Sequence, residues 1–392
     1  MRRLLPVTLV LALLASGCTD TARVHTPDTA DPSAVCGYWY AIGRTPTDTE
    51  IADLGRRMAV VVLNAWDLNA KRRIRAINPD VKVLVYKDLS STRDYDGAVV
   101  GGTDAALLPS GVGYAAANRS HPEWFATDQH GRRIEWGQFG GHWQMAVWNE
   151  GYQRAWTEAV AREVSANGWD GVLADNDLTR LGVYHPGRFA GTANTDDSDR
   201  LLRDGLARLI DRAGERLSSA GKLLVPNVAD AIPGDSRWGA HSRFGGGMDE
   251  FFGRVLSGQA LTELRANQVD PDAGLTLLIT QARTTQERLT GFAAAALFAT
   301  ARTCWTVTRD GDYASRLSTF YLDLPLGRPV DDPAPLDTGV WQRRYTGGWV
   351  AVNSSGHPRS VSPPAGLTQI DGSPVDGPVV LAPYTGTVLL SR

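Results

Sequence analysis

The sequence predicts an α/β protein: a closed (β/α)8 TIM barrel followed by a small C-terminal antiparallel β-sandwich module. Three observations carry this. Eight short, β-rich apolar runs recur along the chain, separated by stretches with helical spacing. The runs are continuously apolar rather than alternating, which suits parallel strands buried on both faces. Beyond Pro325 the texture changes to short apolar runs broken by Gly, Pro, Ser and Asn, as in antiparallel β-structure. A chain of 392 residues has room for a barrel of ~250 residues with material to spare.

The strand runs fall at 36–42, 58–65, 81–86, 171–174, 222–228, 247–252, 275–280 and 304–307. The sixth is the poorest. Helical stretches fall at 48–57, after a Thr/Asp cap signal, at 151–167, ending before Gly168, and at 196–220, ending at Gly221. Two more fall at 256–267 and 285–301. Eight β/α repeats favour closure over an open doubly wound sheet, and no Gly-rich dinucleotide fingerprint follows the first strand. Gly245-Gly246-Gly247 supplies backbone freedom before the sixth strand rather than a phosphate cradle, since no Lys-Ser/Thr follows.

The flanking regions set the organisation. Arg2 and Arg3 precede an apolar run too short to span a bilayer, and residues 1–18 read as a leader. Leu14-Ala15-Ser16-Gly17-Cys18 resembles a bacterial lipoprotein cleavage box, with Ala15 where Leu is usual. That resemblance implies lipidation of Cys18, export, and a membrane anchor facing away from the cytoplasm. Residues 19–35 are polar and aperiodic and read as a flexible tether. The barrel is assigned to 36–324, a Pro- and Asp-rich linker to 325–338 and the β-module to 339–392. Export permits a disulfide. Cys36 opens the first strand and Cys304 the eighth, and these strands are neighbours in a closed barrel. The two cysteines are therefore expected to bond.

Composition excludes several functions. A net charge of −3 with no basic run gives no footprint for nucleic acid. No Gly-x-Ser-x-Gly nucleophile motif and no zinc-binding His-Glu-x-x-His helix occurs, and the 7 His are scattered. No metal or organic cofactor is implied, and no protein partner. In a TIM barrel the chemistry sits at the C-terminal ends of the strands. There the sequence offers Tyr38, Trp39 and Tyr40, Asn64, Lys87 and Asp88, Asp175, Asn176 and Asp177, Asn227 and Asp230, Asp249 and Glu250, and Gln281. The long segment 89–149 follows the third strand, is rich in aromatics including Trp148, and would cover the mouth. Carboxylates, amides and aromatic faces together suit glycosidic bond cleavage. Asp175 and Glu250 are the candidate catalytic pair. Tyr38, Trp39, Lys87, Asp88, Trp148, Asn176, Asp177, Asn227, Asp249 and Gln281 are candidates for substrate binding. Simpler roles compete: Lys87 and Asp88 as a surface ion pair, Tyr38 and Trp39 as barrel filling, the Asp175 cluster as a helix cap or cation site.

Trp169-Asp170-Gly171-Val172-Leu173-Ala174-Asp175-Asn176 resembles the fourth-strand motif of barrel glycoside hydrolases related to the α-galactosidase and endo-α-1,4-polygalactosaminidase families. It is most similar to the hypothetical glycosyl hydrolase 15 family. The resemblance implies that Asp175 is the nucleophile and that a carboxylate ending the sixth strand, Glu250 with Asp249 competing, is the acid/base. It implies retaining hydrolysis of an α-linked polysaccharide or oligosaccharide; as acid/base Glu250 would need a raised carboxyl, for which Phe251 or Phe252 is the apolar neighbour. Retention needs carboxyls ~5–5.5 Å apart, inversion ~6.5–9.5 Å. The alternatives are a carbohydrate-binding lipoprotein without turnover, or a hydrolase or lyase acting on another exported polymer such as peptidoglycan.

Overall fold

The computed structural model describes residues 35–229, 237–254, 256–269, 274–336 and 338–392. The leader, Cys18, nearly all of the tether, and Asp230 lie outside the described residues.

The eight expected strands all form. They are β1 (Cys36–Ala41), β2 (Val60–Leu63), β3 (Lys82–Asp88), β4 (Gly171–Asp177), β5 (Leu223–Val228), β6 (Gly246–Asp249), β7 (Leu275–Gln281) and β8 (Thr303–Thr308). They close into a parallel barrel in which β1 pairs with both β2 and β8. Alternate residues fill the interior: Tyr38, Tyr40, Val62, Leu84, Tyr86, Leu173, Val225, Met248 and Ile279 form one buried cluster. Their neighbours, such as Trp39, Val61, Val85 and Val172, pack outward against the helices. β6 is short because of how it begins. Gly245 and Gly246 both have φ +141°, and a Cβ on Gly246 would come within 2.2 Å of the Leu275 carbonyl oxygen. Only glycine lets the chain enter the barrel there.

The helices of the β/α repeats are α1 (Asp48–Leu54), α2 (Leu68–Ile77), α3 (Glu150–Ala166), α4 (Thr195–Ser218), α5 (Arg237–Ser242), α6 (Gly258–Val269) and α7 (Thr285–Leu297), and one more short helix, Tyr114–Ser120, lies in the segment between β3 and α3. Thr47 and Glu50 form a capping box at the start of α1, and Thr284 and Glu287 do the same for α7. Sequence periodicity does not reveal α2, α5 or the short Tyr114–Ser120 helix. α2 is dominated by Lys and Arg and buries little beyond Ala70, Lys71 and Ile74, and α5 is under two turns long.

Eight full β/α repeats were expected, but no α-helix follows β8 among the described residues. A 3-10 turn (Phe320–Asp323) and the C-terminal module take that flank. The module's main sheet contains β9 (Val340–Tyr345), β10 (Gly348–Asn353), β11 (Leu367–Thr368) and β12 (Gly386–Ser391). Its residues alternate strictly. Trp341, Tyr345, Val350, Val352 and Val388 face the barrel, in one cluster with Phe292, Phe298 and Trp305. Val340, Trp349, Ala351 and Leu389 face the other way, onto Val361 and Leu381 of a two-stranded sheet. This is the small sandwich the sequence implied. Residues assigned to a linker are docked on it: Leu326 is fully buried and the Val330 N–H donates to the Arg344 carbonyl at 2.9 Å.

The reason for this docking lies in α7. Every residue from Thr290 to Leu297 is buried. A helix apolar all round must be covered on both sides. The barrel wall covers one side and β10 and β12 the other. Arg343 donates to the Leu297 and Ala299 carbonyls at 3.3 and 3.0 Å, placing a cation at the helix C-terminus. The Gly386 N–H donates to Thr290 Oγ1 at 3.0 Å.

Cys36 and Cys304 form a disulfide, with Cα atoms 4.3 Å apart. They are also direct partners in the β1–β8 ladder. The bond crosses the closing seam of the barrel at its N-terminal rim.

Deleting residues 339–392 should expose the outer face of α7 and give aggregated or protease-sensitive protein. Soluble monomer with an unchanged melting temperature would show that the module is dispensable to the barrel.

Candidate active site

The site is built where β4 departs from regularity. Its register with β5 shifts between Ala174 and Asp177, and Asn176 adopts the left-handed conformation at φ +63°. Bulges re-aim side chains, and a non-glycine residue held at positive φ marks local strain. Here the bulge leaves Asp175 at the barrel mouth with four donors. Tyr86 Oη donates to Oδ2 at 2.6 Å, and Asn227 Nδ2 to Oδ1 at 2.8 Å. The Asn176 N–H donates to Oδ1 at 2.8 Å, and Asn176 Nδ2 to Oδ2 at 3.4 Å.

Glu250 follows directly after β6. It accepts from Asn227 Nδ2 at 2.7 Å and from Tyr313 Oη at 2.5 Å. One amide nitrogen therefore donates to both carboxylates. Their facing oxygens can be no further apart than the two bonds, 2.8 and 2.7 Å, laid end to end, about 5.5 Å. Tyr40 packs edge-on against Tyr313 with ring centroids 4.8 Å apart. Below them Tyr38 donates to Met248 Sδ at 3.0 Å and forms the floor.

A third carboxylate, fully buried, supports the pair. Asp88 accepts from the Ser90 and Ser91 N–H groups at 2.7 and 2.8 Å, from Arg93 at 2.8 Å and from Asn176 Nδ2 at 2.6 Å. Tyr184 donates to Asn176 Oδ1 at 2.8 Å. Asn176 is thus held on both sides of its amide, which fixes the bulge and the carboxyl beside it.

Burial pushes the Asp175 carboxyl up to about 7, aided by the negative charges of Glu250 and Asp88 and opposed by the Tyr86 and Asn227 hydrogen bonds. Burial also drives the Tyr38, Tyr40, Tyr86 and Tyr313 hydroxyls upward, with nearby carboxylates adding to it. These tyrosines are neutral donors at physiological pH. Phe251, expected beside Glu250 as an apolar neighbour, is exposed, with Arg254 4.0 Å over its ring.

The predicted residues divide into three groups. Asp175, Glu250, Asn227 and Asn176 are brought together, with Tyr38 beneath them. Gln281 joins through Tyr313, 3.4 Å from its Nε2, and accepts from Arg254 at 2.8 Å. Asp249 lines the rim, and its Oδ1 takes the Phe251 N–H at 2.9 Å. The others lie elsewhere. Trp39 points outward into the strand–helix layer. Lys87 is fully buried outside the barrel, 2.7 Å from Glu163, and Asp88 pairs with Arg93, so the two are not a surface ion pair. Asp177 is fully buried between Arg237 and His241, with His241 Nδ1 2.6 Å away. Trp148 packs on Phe189 at 4.6 Å between centroids. Trp39 and Lys87 fall on the outward parity of their strands, Asp177 has the parity of Asp175 but is turned away by the bulge between them, and Trp148 lies in the loop before α3.

Tyr86, Tyr184, Arg93 and Tyr313 were missed. Alternation with Leu84 would have found Tyr86. Tyr313 comes from an irregular loop beyond β8 and has no local signal. Two cavities open over the mouth. One, of 540 Å3, lies over β4–β6 and includes Asn176, Asn227, Glu250, Tyr184 and Phe139. The other, of 490 Å3, lies over β1–β3 and includes Asn64, Trp66, Tyr86 and Tyr95.

A carboxyl raised by its fold favours folding while protonated. That contribution is present below the ordinary value of 3.8 and is lost as pH rises through about 7. Asp175→Asn should therefore gain in melting temperature relative to wild type between pH 4 and 8, by roughly 2–4 °C. Parallel curves across that range would contradict the raised carboxyl.

The hypothetical glycosyl hydrolase family 15 model matches residues 75–349, well over half of the chain. No curated protein matches. Among solved structures, the glycoside hydrolase domain of PelA from Pseudomonas aeruginosa aligns at 13% identity, covering 73% of this chain and 98% of its own, with a TM-score of 0.45. Ega3 of Aspergillus fumigatus, in complex with galactosamine, aligns at 12% identity over 72% of this chain and 94% of its own, with a TM-score of 0.45. A cycloalternan-degrading enzyme from Trueperella pyogenes aligns at 13% identity over 91% of this chain and 60% of its own, with a TM-score of 0.47. With the family match spanning β3 to β8 and a carboxylate pair at the barrel mouth, the chain belongs to the hypothetical glycosyl hydrolase family 15 and is a glycoside hydrolase.

Proposed function

We propose that the protein is a retaining hydrolase of an α-linked polysaccharide or oligosaccharide, held at the outer face of the membrane by a lipid on Cys18. The observation that carries the mechanism is the shared Asn227 amide, which keeps the facing carboxylate oxygens within about 5.5 Å. That closeness fits direct attack by one carboxylate rather than a water held between two.

The pair needs one proton and one negative charge. Two carboxyls this close resist ionising together, so a single proton is retained by the pair near neutral pH. Attack requires the form of the pair in which Asp175 is the anion, held by its four donors, and the shared proton stands on Glu250. Asp175 Oδ attacks the anomeric carbon as Glu250 passes its proton to the leaving glycosidic oxygen. The sugar is then esterified to Asp175. Glu250, now ionised, takes a proton from water, the hydroxide attacks the same carbon, and Asp175 leaves. Asn227 stays bonded to both through the exchange of charge.

The α linkage rests on the resemblance of the β4 motif to α-galactosidase-like barrels. Suitable test glycans are α-1,4-linked galactosaminan, α-linked galactan and an α-glucan. New reducing ends should appear with at least one of them, and the product should be released as the α anomer. Glu250→Gln should lower turnover by ~10²–10⁴-fold, and Asp175→Asn should abolish it. Full activity in Asp175→Asn, or release of the β anomer, would remove this mechanism. In a bacterial host, Cys18→Ser should move the protein from the membrane fraction to the soluble exported fraction. Retention in the membrane would argue against the lipid anchor.

A further inference from the structure

The catalytic pair uses only part of the mouth. The 490 Å3 cavity over β1–β3 meets the site at Tyr86, the one residue of its lining that hydrogen-bonds a catalytic carboxylate. Its upper edge carries Trp66, in the β2–α2 loop, and Tyr95, in the long β3–α3 segment. They are 48% and 38% exposed. Large aromatics kept partly in water forgo burial that would stabilise the fold, so their placement calls for an explanation.

That placement is not scattered. Five aromatic side chains are exposed among the described residues: Trp66, Tyr95, Phe139, Phe251 and Tyr384. All but Tyr384 line the two cavities at the mouth. The cavities are also joined by a row of rings. Tyr95 lies 5.6 Å from His142, His142 lies 5.4 Å from Phe139, and Phe139 lies 5.7 Å from Tyr184, whose hydroxyl holds Asn176. The row links the two cavities: Tyr95 and His142 line one, Phe139 and Tyr184 the other.

We propose that Trp66 and Tyr95 form a sugar-binding subsite, which takes a pyranose ring of the glycan at least one residue removed from the bond that is cut. The apolar C–H face of the ring stacks on the Trp66 indole, and the ring hydroxyls meet Asn64 and Asp96 in the same cavity. The subsite rests on the glycoside hydrolase reading for the class of its ligand, but it requires binding alone, not the proposed roles of Asp175 and Glu250.

The test is equilibrium binding of size-fractionated oligomers of the three α-glycans named above to the full-length Asp175→Asn protein, with and without Trp66→Ala. Affinity should rise with oligomer length until the chain reaches Trp66. Trp66→Ala should lose about tenfold for the long oligomers, a penalty that shrinks as they shorten, and Trp66→Tyr should restore most of it. Equal affinity of the Trp66→Ala and parent proteins for long oligomers would overturn the subsite, as would no binding of any oligomer. Length-dependent binding through Trp66 in a protein whose native form cleaves none of the three would leave the subsite standing and remove the catalytic proposal instead.

Discussion

Two half-buried carboxylates set side by side repel each other, and the structure answers that repulsion with one side-chain amide. Asn227 donates from a single nitrogen to Asp175 and Glu250. The geometry around it exists to keep that arrangement in place. β5 delivers Asn227 from an otherwise apolar strand, the bulge in β4 turns Asp175 toward it, and the glycine entry to β6 sets where Glu250 emerges. Tyrosine hydroxyls on the flanks, Tyr86 on one carboxylate and Tyr313 on the other, supply neutral donors that never compete for the charge. A lysine or arginine in those places would hold both carboxylates ionised and leave no proton to donate.

The fold was largely legible in the sequence because a parallel barrel writes itself in continuous apolar runs. All eight strands, the order they imply and the Cys36–Cys304 pairing follow from that one pattern. The site was legible where identity and alternation agreed, as at Asp175, Asn227 and Glu250. It was misread at Trp39, Lys87 and Asp177, which share strand ends with site residues but face the opposite side of the wall. Tyr313 was illegible in principle. Its position depends on a loop path after β8, and no periodicity encodes a loop path.

The missing eighth helix was hidden for a related reason. The stretch after β8 is rich in turn formers, and its replacement lies some thirty residues further on in β9 to β12. The clue was in α7, whose buried run of Phe292, four alanines and Leu297 cannot face water on any side. A helix of that composition at the edge of a barrel announces a second covering layer. The C-terminal sheet is therefore part of the barrel's own packing, and its period-two alternation divides its side chains between α7 and the outer sheet.

The disulfide gives the molecule a preferred path for mechanical load. Any tension arriving along the residues that precede β1 enters the domain at Cys36. In a barrel closed by hydrogen bonds alone, that pull would unzip β1 from its neighbours one pair at a time. Here the first residue of the strand is covalently joined to Cys304, so the force passes at once into β8, on which Phe292 of α7 and Tyr321 of the 3-10 turn both pack through Trp305. Peeling is converted into shear across a wall that is covered on its outer side, while the catalytic mouth, at the far end of the strands, stays out of the line of pull.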